Sequence, residues 1–126
     1  MPVTVKQPLV SVVDDDESVR ESLPDLLGEL GYSVRVFASA AEFLASDCVS
    51  QTRCLILDIT MPGMTGPELQ QELTLRAQEI PIVFITAQAD ETVRERSLEQ
   101  GAVECLFKPF SEAALIGAIN AALKAN

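Results

Sequence analysis

The stretch LVSVVDDDESVR, Leu9–Arg20, runs five mostly apolar residues straight into four consecutive acids, Asp14 to Glu17. A short run of Val and Leu without polar alternation reads as a strand covered on both faces. The acids after it need a reason. Two carboxylates about 4 Å apart repel by about 4 kcal/mol at the effective dielectric of a protein surface, so clustered acids call for a cation, a proton or a helix N-terminus nearby. Beyond them, Val19, Leu23, Leu26, Leu27 and Leu30 form one helical stripe closed by Gly31. Asp16 or Glu17 would cap that helix. Pro24 lies inside the pattern and predicts a kink or a late helix start.

The same alternation continues to the end of the chain. Further apolar runs occupy Ser33 to Phe37, Cys54 to Leu57, Ile82 to Ile85 and Val103 to Phe107. Helical patterns lie between and after them. Ser39 with Glu42, and Thr65 with Glu68, have capping-box spacing. The second helix would bury Phe43 and Leu44, and the fourth, from about Asp90 to Gln100, carries Val93 and Leu98 and stops at Gly101. A fifth opens at Ser111 and repeats Leu115, Ile116, Ile119, Ala122 and Leu123. Five βα units of this kind predict a doubly wound α/β domain with a five-stranded parallel sheet and helices on both faces. Ligands of such domains bind beyond the carboxyl ends of the strands.

At those ends stand Asp14, Asp15 and Asp16 after the first strand, Asp58 after the third, Thr86 after the fourth and Lys108-Pro109 after the fifth. Oxygen ligands of this kind suit Mg²⁺, and an aspartate can serve as a nucleophile toward phosphorus. The predicted chemistry is phosphoryl transfer to a carboxylate, with the cation, the Lys108 ammonium and the Thr86 hydroxyl offsetting charge on the phosphoryl oxygens.

Composition narrows the alternatives. The 126 residues are 48% hydrophobic, enough for one core, and residues 1–126 read as one domain with residues 1–8 as a flexible leader. The net charge of −10 argues against direct nucleic acid binding. No apolar run approaches the roughly 20 residues of a membrane span and no secretory signal opens the chain, which together predict a cytoplasmic protein. Cys48, Cys54 and Cys105 have no CxxC spacing and no histidine to join them, so reduced, buried thiols are expected. An EF-hand reading of the acidic stretch fails because Val19 occupies the position that needs glycine.

The blocks VVDDDE, LILDITMPGMTG, VFITA and FKPF together resemble the signature blocks of a bacterial two-component response regulator receiver domain, and their surroundings are most similar to the FixJ-like subgroup. The resemblance runs from about residue 9 to 124. It implies the flavodoxin-like (βα)5 fold with strand order 2-1-3-4-5, and a switch whose only chemistry is its own phosphorylation and dephosphorylation. It makes Asp58 the phosphoacceptor, and Asp14, Asp15, Asp58 and the backbone carbonyl of Thr60 the Mg²⁺ site. Thr86, the amide of Ala87 and Lys108 would hold the phosphoryl oxygens, and the Lys108-Pro109 bond would be cis. The resemblance further implies a sensor histidine kinase or histidine phosphotransfer protein as donor, and self-association through the fourth helix, fifth strand and fifth helix. A helix-turn-helix output domain controlling transcription would follow Asn126, the alternative being a stand-alone phosphorelay receiver. Cys105 departs from the pattern: receivers usually carry Tyr or Phe at this switch position beside Thr86. A phosphatase acting on external esters is disfavoured, since such enzymes place a second acid two residues after the nucleophile and Thr60 stands there.

Overall fold

The computed structural model describes residues 7–124. Apart from Gln7 and Pro8, the leader expected over residues 1–8 lies outside the described residues. Five strands, β1 (Leu9–Val13), β2 (Ser33–Phe37), β3 (Thr52–Asp58), β4 (Ile82–Thr86) and β5 (Glu104–Phe107), pair in parallel in the order β2-β1-β3-β4-β5. They alternate with α1 (Glu17–Glu29), α2 (Ala40–Ala45), α3 (Gly66–Leu75), α4 (Glu91–Glu99) and α5 (Glu112–Lys124). A 3₁₀ turn at Val49–Gln51, which no sequence signal announced, leads into β3.

Alternate side chains of the central strands point to opposite layers. Val10, Val12, Cys54, Ile56, Val83 and Ile85 pack under α1 and α5 against Leu23, Leu27, Leu115 and Ile119. Val13, Leu55, Leu57, Phe84 and Cys105 face the other way, against Phe43 of α2 and Leu69 and Leu73 of α3. Burial on both faces is why β1, β3 and β4 read as continuous apolar runs.

Several expectations are corrected. β2 lies at the sheet edge, as the order 2-1-3-4-5 implied, but it is not covered on both faces as its apolar run suggested: Arg35 and Val36 are exposed. Of the kink or late start expected from Pro24, the late start does not occur: Asp16 caps α1 and Glu17 begins it, with Pro24 inside the helix. Leu30 is not part of its buried stripe but its C-cap, 40% exposed, and Gly31 follows with φ +93°. Glu42 reaches the amide of Ala38 rather than that of Ser39, leaving the α2 box one-sided, whereas Thr65 and Glu68 close the reciprocal box at α3. In α4 the buried residue is Ser97, and Leu98 is 37% exposed.

Candidate functional site

Parallel pairing sets the carboxyl ends of β1, β3, β4 and β5 side by side. Asp58 sits opposite Ile85, one residue before Thr86, and Thr86 sits opposite Phe107, one residue before Lys108. The loops there are tied to the sheet by Ile59 N–H to the Ile85 carbonyl (3.0 Å) and Lys108 N–H to the Thr86 carbonyl (2.7 Å). A single patch results, built from residues up to 94 positions apart in the chain.

Asp14, fully buried, Asp15, exposed, and Asp58, 6% exposed, each offer a carboxylate oxygen within 4.8 Å of the others. The Lys108 ammonium reaches over them, 2.8 Å from Asp14 Oδ2 and 3.9 Å from Asp58 Oδ2. Burial alone would lower the Lys108 pKa, but its hydrogen bond to Asp14 and the surrounding carboxylates hold it above the ordinary value. One ammonium does not balance three carboxylates. Burial, and next the adjacent Asp14 charge, push the Asp58 carboxyl up to about 7 against the pull of Lys108. Hard oxygen donors grouped this closely, with a raised acid among them, fit a small divalent cation.

The remaining candidates are placed less directly. The Thr86 side chain is buried, and its hydroxyl accepts from the Gln88 amide at 3.1 Å. Ala87 follows it at the exposed start of the β4–α4 loop. Thr60 donates its amide weakly to Asp58 Oδ1 (3.4 Å). The Lys108-Pro109 peptide bond is cis. Cys105 is not brought into the patch: it pairs with Phe84, two residues below the Thr86 level, where burial raises its thiol pKa. Cys54, buried in the other layer, is pushed up to about 12. Among the described residues all cysteines are free and buried.

Two supports escaped sequence reading. Gly66 begins α3 directly against the β3 end, donating its amide to the Ile59 carbonyl at 3.0 Å, and a Cβ there would collide with the Asp58 carbonyl. A glycine between a capping residue and a proline was the available signal. Asp14 is held by four separate contacts, which no local pattern announces.

Fold and site together define a doubly wound α/β domain with an acid-and-lysine pocket at the carboxyl ends of its strands. The family model for the response regulator receiver domain matches residues 10–120. Response regulator protein TodT of Pseudomonas putida is 41% identical over 92% of this chain and 51% of its own length. Transcriptional regulatory protein FixJ of Azorhizobium caulinodans is 39% identical over 90% of this chain and 54% of its own. Among solved structures, the response regulator StyR superposes with a TM-score of 0.87 at 49% identity, covering 96% of this chain and 61% of that one. FixJ-N gives 0.85 at 34%, covering 97% and 98%. The chain belongs to the response regulator receiver domain family, a family of signalling switches. It spans about half the length of the curated relatives it matches.

Proposed function

We propose that Asp58 accepts a phosphoryl group from a phosphohistidine of a sensor kinase or histidine phosphotransfer protein, with Mg²⁺ bound by Asp14, Asp15, Asp58 and the Thr60 carbonyl. The observation that carries this reading is the meeting of three carboxylates and one lysine at the strand ends, within 4.8 Å and 3.9 Å respectively. A carboxylate oxygen of Asp58 forms the bond to phosphorus as the bond from phosphorus to the imidazole nitrogen breaks, and the electron pair leaves with the imidazole. Held by these residues, Mg²⁺ would lower the repulsion between the Asp58 carboxylate and the incoming phosphoryl oxygens. Lys108 lies where its ammonium can pair with one of those oxygens, while the Thr86 hydroxyl, released from the Gln88 amide, and the Ala87 amide receive another. The domain thus has no external substrate to turn over and acts as a switch.

Residues 1–126 are then one receiver domain of a cytoplasmic regulator. Among the described residues no helix is long and apolar enough to cross a membrane. Relatives named as transcriptional regulators, of which this chain covers about half, support an output in transcription; the helix-turn-helix domain after Asn126 is what the family resemblance implies. DNA contact would belong to that domain, since this one carries a charge of −10. Self-association on phosphorylation would use the face of α4, β5 and α5, where Leu106, Phe107 and Phe110 line an open groove beside Arg94 and Glu104.

Intact-mass analysis after incubation with a small phosphodonor and Mg²⁺ tests the assignment. One phosphoryl group is expected on the parent, none after chelation and none on Asp58→Asn. Equal labelling of Asp58→Asn would falsify it.

A further inference from the structure

The Asp14 carbonyl oxygen occupies an unusual position. Asp14 is fully buried, and the amide that a continuing helix would aim at its carbonyl, that of Ser18, is instead taken by Asp16 Oδ1 at 2.9 Å. A buried carbonyl without a donor is costly. Arg20 supplies the donor: from the first turns of α1 its half-buried guanidinium reaches back over the helix N-terminus and donates from Nη1 to Asp14 O at 3.0 Å. Among the described residues no ion pair involves Arg20, so a carboxylate partner does not explain where it lies.

That carbonyl belongs to the peptide joining Asp14 to Asp15. The peptide is planar, so pinning its oxygen sets the direction in which the chain, and with it Asp15, leaves. Asp14 has other anchors for its side chain, the Asp16 amide at 2.9 Å and Lys108 at 2.8 Å. No hydrogen bond among the described residues holds the exposed Asp15 carboxylate, although its oxygen shares the pocket with Asp14 and Asp58. Its placement depends on the backbone. From this we infer that Arg20 is a positioning residue for the divalent cation: by holding the Asp14–Asp15 peptide it keeps Asp15 aimed at the shared pocket. The inference rests on the magnesium reading above.

Charge alone predicts the opposite sign. Removing a cation close to three carboxylates strengthens binding of Mg²⁺ by simple electrostatics, whereas loss of a support weakens it. The test is a magnesium titration of the parent, Arg20→Met and Arg20→Lys by calorimetry, with metal-free melting curves to show that each is folded. Met keeps the apolar stem without a donor, and Lys retains one donor of shorter reach. Arg35→Ala, on the exposed edge strand, controls for general charge. Arg20→Met is expected to weaken affinity about tenfold, with Arg20→Lys recovering most of it and Arg35→Ala unchanged. Equal or tighter binding by folded Arg20→Met overturns the positioning role while leaving the magnesium site intact. If Arg20→Met does not fold, Arg20→Ala takes its place: weaker binding by the folded variant supports the role, and equal or tighter binding overturns it. Failure of the parent to bind Mg²⁺ overturns the magnesium reading, and this inference with it.

Discussion

α5 and α4 flank the same strand, β5, yet they are attached to it by different means. α5 buries Leu115, Ala118, Ile119 and Ala122 against β1, β3 and β4 as well. α4 buries only Ser97, whose hydroxyl donates within the helix to the Val93 carbonyl at 2.9 Å, and its outward ties are polar: Arg94 to Glu104 at 3.0 Å and Gln70 of α3 to the Gln100 carbonyl at 3.1 Å. Apolar burial over four residues fixes a helix in one place, because every displacement exposes area and opens cavities. Half-exposed polar contacts can be exchanged for water at little cost, which leaves α4 in the least restrained position of the two. A change at Thr86 therefore has a movable element beside it on one flank and a fixed one on the other.

The largest effect should come from breaking the fixed flank. Ile119→Ala removes a fully buried side chain from the α1/α5 layer and is expected to cost about 3 kcal/mol of global stability, read from the denaturation midpoint. A loss below about 1 kcal/mol would show that α5 is no more firmly seated than α4.

Next comes the tension at the site between the two flanks. The folded Asp58 pKa, about 7, lies above its ordinary 3.8, so the folded chain holds that proton more tightly than the unfolded chain does. Stability of the metal-free protein should therefore fall as pH rises from about 4, with the loss complete above about 7, by on the order of 2 kcal/mol after allowance for relaxation around the carboxylate. Asp58→Asn should flatten that slope. Mg²⁺ should raise the melting midpoint of the parent at pH 8 and have little effect at pH 5; a pH-independent metal effect would show that the raised acid does not drive binding.

A smaller global effect, with a local one, is expected on the movable flank. Arg94→Gln should leave the melting midpoint nearly unchanged while amides of α4 exchange faster and those of α5 do not. Uniform exchange changes across both helices would break the contrast between them. The smallest effect concerns Cys105, whose thiol has no long lever to rotate. If the parent self-associates when loaded with beryllofluoride, Cys105→Ala should do so equally by light scattering. Loss of that association with normal loading would make Cys105 a switch residue.

Gly66 shows how much of the site was legible in advance. The strand-end acids, Thr86 and Lys108 stood out because chemistry was concentrated where apolar runs stopped, and the fold class followed from the alternation of two periodicities. The need for glycine at 66 did not stand out, because it arises from how closely α3 approaches Asp58. The same holds for Leu98, Val36 and Leu30, apolar residues that local pattern assigned to the interior and packing left outside.

By itself, then, the sequence determined the elements, their layering on both faces of a sheet and the inventory of acids, hydroxyl and amine at the strand ends. Those properties are local: periodicity, capping and composition act over a few residues. Tertiary structure alone decided that Arg35 and Val36 of β2 would be exposed and that Lys108 would come 2.8 Å from Asp14. It alone gave Arg20 the task of satisfying a buried carbonyl and left α4 with a serine as its buried residue. Each of these depends on which distant segments pack together, and neighbouring residues carry no record of that.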